Sequence, residues 1–560
     1  MKNYLLKIFA AVMLLLCSAS MSVKVLAEEE QNDVLIRNIA SGQIKGNLDS
    51  EHNVLEWLGV QYAKAPEGEL RWKAPQPVDS FESVFDATKA AEPFVQLSRE
   101  GLVGTEGDLN LDIVRPNTDE ENLPVYVFLH GGNNQTGHAQ EIKGNTFAND
   151  INAVYVSINY RLGALGFNPL AALKHGTDEE NSGNFTLLDI AAALDWVQDN
   201  IAAFGGNKDN VTLVGFSAGG RDVMATLISP IFAGKFHRAI SYSGGMTLAD
   251  EVESQQIFAK AIASLVVEDG VKATEEEAIE WLLQDEQEVA DYLYGLSAER
   301  LAGLMGNAGI RMSVFPHLYK DGVVIPKEGF ETDKFNDVPL MLITGTNEFS
   351  LFSAFDAYFG KHVGDGMIFN DEKLSKEFAY VRKYGGALYR LSNTVDSARM
   401  LDGKYQSPIY ISEISYGDNV EVTPKLNTLL GSFHGVFEPL LQTPSNYADF
   451  IADEFETDGA KKLSETFKGY LKAFVANGNP NADGLPEWQQ WTAAESQVLQ
   501  LDADKDKSLV EMIADKEMPA DIIEQMLADT SIDEETKEML HKSVLNGRWF
   551  SQPIDAMYGE

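Results

Sequence analysis

The sequence predicts an α/β fold: a central, mostly parallel twisted sheet with helices on both faces and helical insertions. Two observations carry this. Between residues 123 and 229, short runs rich in Val, Ile and Tyr alternate with amphipathic stretches, the order in which a parallel sheet is wound. The segment "VTLVGFSAGGRDVMATL" then leads an apolar strand through a glycine-flanked serine directly into a helical pattern. At 560 residues and 44% hydrophobic content, the chain can bury a large core as one unit.

Taken in order, "GQIKGN", "VLEWLGVQYA", "LPVYVFLH" (Leu123 to His130) and "INAVYVSINY" (Ile151 to Tyr160) read as strands. In "FTLLDIAAALDWVQDNIAAFGG", Leu187, Ile190, Ala191, Leu194, Val197 and Ile201 fall on one helical face, and Gly205 ends the helix. "NVTLVG" is a short buried strand and "RDVMATLIS" a helix. From Ala249 to about Met305 the pattern is helical, with a capping box at Thr274 to Glu277. "VPLMLITG" returns to strand, and "TDGAKKLSETFKGYLKAFVANGNPN" is a helix closed by Gly and Pro. The tail after Asp502 reads as acidic and helical, with Ser531 and Glu534 capping a short helix. The expected organisation is a removable leader at 1–27, a catalytic domain at 28–502 with a helical insertion near 249–305, and an acidic extension at 503–560.

The leader expectation rests on Lys2 and Lys7, an apolar run from Ile8 to Leu16, and a Val25-Leu26-Ala27 ending suited to signal peptidase, which implies export to the periplasm or the medium. Cys17 is the only cysteine, so the mature chain would have no disulfide. Leu16 stands where a lipoprotein signal needs a small residue, and no later run is long enough to span a bilayer. The net charge of −41 argues against nucleic acid or an anionic membrane as partner, since both are polyanions. It leaves the oligomeric state open.

Gly215-Phe216-Ser217-Ala218-Gly219 fits G-x-S-x-G in the strand-to-helix setting that this motif requires. The helix that follows points N–H groups at the site where negative charge would develop. A serine hydroxyl is a weak nucleophile and needs a base, an acid and oxyanion donors. The strand end His130-Gly131-Gly132 resembles a donor loop of this kind, to be completed by the N–H of Ala218. Histidines that follow the serine are His317, His362, His434 and His541. His434 in "GSFHGVFEPLL" has a neighbouring glycine that lets its loop turn inward. "DADKDKSLVE" begins like a calcium loop, but Lys507 and Ile513 stand where Gly and Glu are needed, so neither metal nor other cofactor is expected.

Several long stretches, among them "LGVQYAKAPEGELRWKAPQP", "GDLNLDIVRP", "INYRLGALGF", "FHRAISYSGG" and "VANGNPN", resemble the type-B carboxylesterases, the family that includes cholinesterases and p-nitrobenzyl esterases. The resemblance implies an α/β-hydrolase fold and a serine esterase that cleaves small carboxylic esters through an acyl-enzyme. It assigns Ser217 as nucleophile, His434 as base, Glu348 as acid, and the N–H groups of Gly132, Asn133 and Ala218 as oxyanion donors. The acid segment "GTNEFSLF" is two residues shorter than the family's, which keeps Asp356 open as an alternative. Ser243 resembles a serine that buttresses the acid.

Three departures stand out. Phe216 replaces the usual glutamate before the nucleophile, which disfavours choline esters, and Asn133 replaces a glycine and is expected to narrow the pocket. Phe94 and Asp108 stand where an early disulfide is usual, so a looser loop and a wider mouth are expected. The alternative function is a catalytically impaired cholinesterase-like binding protein. Asn133, Phe216 and the shortened acid turn favour it, and the retention of both Ser217 and His434 opposes it.

Overall fold

Eleven strands form the central sheet of the computed structural model, which describes residues 34–98, 101–107, 109–451 and 453–559. The signal segment, Cys17 and Asp108 lie outside the described residues. In chain order the strands are β1 (Asn47–Asp49), β2 (Val54–Ala63), β3 (Leu109–Pro116), β4 (Leu123–Leu129), β5 (Val154–Ile158), β6 (Gly206–Phe216), β7 (Arg238–Tyr242), β8 (Leu340–Gly345), β9 (Ile409–Ile414), β10 (Gln497–Ala503) and β11 (Ser508–Ala514). Across the sheet they run β1-β2-β3-β5-β4-β6-β7-β8-β9-β10-β11. Pairing from β5 through β10 is parallel, and the two margins are antiparallel.

The parallel centre explains the apolar runs. Helices cover both faces, so β5, β7 and β8 have no solvent side, and near-continuous Val, Leu and Ile replace an alternating pattern. The "GQIKGN" strand belongs elsewhere: Gly42–Lys45 pairs with Ile36–Ile39 in a separate small sheet.

Helix α1 (Phe185–Asn200) is buried around most of its circumference, not along a single face. It is packed between the sheet and the β2 margin, and Asp189 is therefore drawn into the core. The carboxylate is matched there by Arg161, whose Nε and Nη2 donate at 2.8 and 2.6 Å and whose backbone N–H donates at 3.0 Å. Helix α2 (Ala218–Thr226) follows β6 without a loop residue other than Ser217.

After β7 the chain leaves the sheet through α3 (Glu251–Glu268), α4 (Glu275–Leu282) and α5 (Gln287–Gly295). Thr274 caps α4 by accepting from the Glu277 N–H at 3.2 Å, and the Glu277 carboxylate reaches back to the Ala273 N–H at 3.1 Å. The chain then continues through α6 (Phe349–Phe355), α7 (Glu372–Asn393) and α8 (Asp458–Asn477), the last ended by Gly478 in the left-handed conformation. No helix among the described residues is long and apolar enough to cross a membrane.

The tail differs from the helical extension expected from its composition. Ser508–Ala514 pairs antiparallel with β10 along its full length as the edge strand β11, and the supposed calcium loop is the turn of this hairpin, where Asp504 accepts from the N–H groups of Asp506 and Lys507. Its half-exposed edge position permits Glu511 and a charged turn, which masked the strand pattern. Helices α9 (Pro519–Ala528), α10 (Glu534–Leu540) and α11 (Gln552–Tyr558) follow. Asp533 caps α10, accepting from the Thr536 N–H at 2.9 Å, in place of the expected Ser531.

The buried Arg161–Asp189 pair yields the first prediction. Asp189→Ala leaves an uncompensated guanidinium in the core and is expected to cost about 3–5 kcal/mol of stability in chemical denaturation. The double variant Arg161→Met/Asp189→Leu should cost much less.

Candidate active site

Ser217 occupies a forced turn. Its φ is 55° and ψ −116°, a conformation that non-glycine residues rarely hold, with a typical cost of about 1–3 kcal/mol. The surroundings fix it: its N–H donates to Tyr242 O at 2.8 Å, and its carbonyl accepts the first helical bond from Arg221 N at 2.9 Å. The flanking glycines are required by contact. A Cβ on Gly215 would lie 2.1 Å from Gly219 O, and one on Gly219 would lie 2.4 Å from Leu129 O.

His434 sits on the loop after β9 and is 3% exposed, and Ser217 is 4% exposed. Gly435 has φ +104°, and a Cβ there would meet the Tyr447 hydroxyl at 2.4 Å, so the neighbouring glycine is sterically required. The imidazole Nδ1 bonds Glu348 Oε2, while Nε2 is buried without a hydrogen-bond partner. A carboxylate only accepts, so the proton resides on Nδ1 and Nε2 presents its lone pair. Three aromatic rings enclose the imidazole: Phe216 and Phe352 at 4.9 Å, and Tyr389 stacked at 5.5 Å.

Glu348 is fully buried at the start of α6. The shortened turn works because the side chain folds back over its own strand. Oε1 accepts from Gly345 N at 2.6 Å, Thr344 Oγ1 at 2.9 Å and Ser243 Oγ at 2.6 Å, leaving Oε2 for the imidazole. Ser243, at φ 52°, is pinned by its N–H to Ile343 O at 2.8 Å. The alternative acid Asp356 lies at the other end of α6, paired with Arg548 at 2.5 Å.

The other histidines have different partners. His317 meets Arg221 through Nε2 at 2.8 Å and is held well below its ordinary pKa by burial and by that guanidinium. His541 lies between the hydroxyls of Tyr380 and Tyr558, pushed down to about 4 by burial, and His362 lies on the short helix Gly360–Gly364.

The donor loop lies against the elbow: a Cβ on Gly131 would be 3.3 Å from the Ser217 Cβ. Gly131 N–H donates to Glu141 Oε2 at 3.0 Å. The N–H groups of Gly132, Asn133 and Ala218 have no hydrogen bond to the described residues. Asn133 takes φ 59°, which asparagine tolerates. Its side chain is turned to Gln135 Oε1 at 2.7 Å, and Gln135 in turn binds Gly306 O and Ala308 N.

Sequence reasoning missed the support beneath this loop. Asn134 Nδ2 donates to Asp222 Oδ1 at 2.9 Å, tying the donor loop to the elbow helix. Burial pushes the Asp222 carboxyl up to about 7, against the pull of Asn134 and Arg221, and pushes Glu141 to about 7 as well. The signal was present as Arg221-Asp222, two charges inside the otherwise apolar run "SAGGRDVMATLI".

The sheet, the elbow and the acid–histidine pair define an α/β-hydrolase. A model of the carboxylesterase family matches residues 33–383, and the chain belongs to that family. It is 28% identical over 489 residues to the para-nitrobenzyl esterase of Bacillus subtilis (strain 168), covering 83% of this chain and 94% of that protein. It is 30% identical over 500 residues to carboxylesterase 1C of Rattus norvegicus, covering 79% and 84%. A solved PNB esterase superposes with a TM-score of 0.66 at 25% identity, over 88% of this chain and 99% of that one. The protein is a carboxylic ester hydrolase.

The buried Asp222 gives a pH prediction. Between its ordinary value of 3.8 and about 7, the unfolded chain releases this proton while the folded chain keeps it, so stability falls as pH rises through that window and levels off above it. Asp222→Asn retains the bond from Asn134 and has no proton to lose. Its melting temperature relative to wild type should therefore rise between about pH 4 and about pH 8. A difference that stays flat would remove the assignment.

Proposed function

We propose that Ser217, His434 and Glu348 form the catalytic triad, with Gly132, Asn133 and Ala218 as oxyanion donors. The observation that carries this is the buried imidazole whose Nδ1 is fixed by Glu348 and whose Nε2 alone is unpartnered. Nε2 takes the Ser217 proton as Oγ attacks the ester carbonyl, and the carbonyl oxygen becomes the oxyanion. Glu348 stabilises the imidazolium and keeps the ring orientation. The imidazolium then returns the proton to the departing alcohol, leaving an acyl-serine. Water repeats the attack, with Nε2 taking its proton, and releases the acid.

The substrate proposed is a small, neutral ester. Phe216 and Phe437 meet edge to face at 5.0 Å beside the imidazole. Apolar rings in this place favour contact with an uncharged acyl or alkyl group, which is buried without desolvating a charge. We propose further that the enzyme is exported after cleavage behind Ala27. The support is sequence alone, and Edman sequencing of secreted enzyme should begin at Glu28.

Ser217→Ala should lower kcat for p-nitrophenyl acetate by about 10⁴-fold or more, since triad members act as a unit, and should abolish fluorophosphonate labelling. Wild-type turnover by this variant would refute the assignment. Failure of the wild type to label would remove Ser217 as the nucleophile.

A further inference from the structure

We infer that the tripeptide Arg548-Trp549-Phe550, just before the last helix, positions the catalytic machinery, each residue bracing the element that carries one member of the triad. The inference rests on the triad proposed above.

Arg548 addresses the acid. Its Nη2 donates to Asp356 Oδ2 at 2.5 Å, with both side chains buried, and Asp356 caps the C-terminus of α6, the helix that starts at Glu348. The same guanidinium lies 5.1 Å over the ring of Phe349, the residue after the acid. Helix α6 is therefore gripped at both ends by one side chain. Trp549 addresses the nucleophile. Its indole lies over the Arg221 guanidinium at 3.9 Å, on α2, one turn beyond Ser217. Arg221 has no carboxylate bonded to it, so the ring, the Thr247 carbonyl at 2.6 Å and His317 Nε2 at 2.8 Å together hold the cation. Phe550 addresses the base. It stacks on Tyr389 at 5.0 Å, and Tyr389 in turn stacks on His434 at 5.5 Å.

The tripeptide is itself anchored to the segments that flank the insertion. Trp549 N–H donates to Ile310 O at 3.0 Å, Thr247 Oγ1 donates to Trp549 O at 3.2 Å, and Arg548 bridges Arg311 in antiparallel fashion. The neighbouring loop also carries Gly306 and Ala308, which hold Gln135 and through it Asn133 of the donor loop. Nε2 of His434 has no partner to orient it, so its aim depends on the Glu348 bond and on the rings packed around it. A gap behind Tyr389 would let the imidazole swing, and loss of the Trp549 ring would loosen α2 beneath a strained serine. Small displacements of this kind act on turnover more than on binding.

The test compares steady-state hydrolysis of p-nitrophenyl acetate by full-length wild type, Phe550→Ala, Trp549→Ala, Phe550→Leu and Phe550→Tyr. Ile554→Ala, fully buried in the same tail but outside this chain of contacts, is the control. The two alanine variants should lose about 10- to 100-fold in kcat with KM changed less than about twofold. Phe550→Tyr keeps the aromatic face that stacks on Tyr389 and should retain wild-type kcat. Phe550→Leu keeps most of the volume without the stacking face, and should fold and still lose kcat, so it decides the matter if the alanine variants do not fold. Wild-type kcat in Phe550→Leu, or an equal loss in Ile554→Ala, would overturn the inference and leave the segment as scaffold. Fluorophosphonate labelling of wild-type Ser217 is read in parallel. Its absence would instead remove the triad assignment, so the two failures are distinguishable.

Discussion

A fully buried carboxylate at the end of a parallel strand is the constraint on which the catalytic edge depends. Glu348 has no water to solvate it, and an ionised acid in that position persists only if donors replace the lost hydration. Those donors come from separate parts of the chain: the end of β8, Ser243 after β7, and His434 after β9. β7, β8 and β9 are adjacent and parallel, so their C-terminal ends lie together. The sheet topology thus makes the carboxylate tolerable, and the carboxylate in turn locks the His434 imidazole.

The same edge shows why backbone contact, and not only side-chain chemistry, fixes the sequence. Gly215 and Gly219 touch each other's chain segments or the end of β4, so the elbow and the donor strand close against one another without room for a methyl group. That closeness brings Gly131 of the donor loop against Ser217. Strain at Ser217 and Ser243, both at positive φ, is maintained by hydrogen bonds to neighbouring strands.

Much of this was legible in the sequence because it is local. The elbow is a contiguous motif, and the parallel strands have an apolar signature that burial on both faces demands. Glu348 could be placed by resemblance, but its fitness could not, because the two missing residues are compensated by a side chain folding back to Thr344 and Gly345. β11 was hidden by its exposed edge. The supports of the site were illegible for a deeper reason. Asp222 with Asn134, and Phe550 with Tyr389, join positions 88 and 161 residues apart, and no period or spacing encodes such partners. The only trace was chemical incongruity: charges within an apolar helix, and "RWF" within an acidic tail.

The segment that relatives usually crosslink illustrates how such long-range contacts take over a covalent role. Phe94 is buried and bridges Thr105, and Gln96 exchanges hydrogen bonds with Gly137 N and O at 2.8 and 2.9 Å, next to the donor loop. Arg71 Nε binds Glu106 at 2.6 Å, and its Nη1 binds Leu296 O at 2.6 Å, joining the segment to the insertion. A disulfide acts largely by restricting the unfolded chain, whereas these contacts act only once folded. They act without shortening the loops the chain must close, and they tie Gln96 to Gly137 beside the donor loop and, through Arg71, Glu106 to the insertion. The coupling of Gln96 and Glu106 to the donor loop and the insertion is thus a property of the folded state alone, and it needs no cysteine.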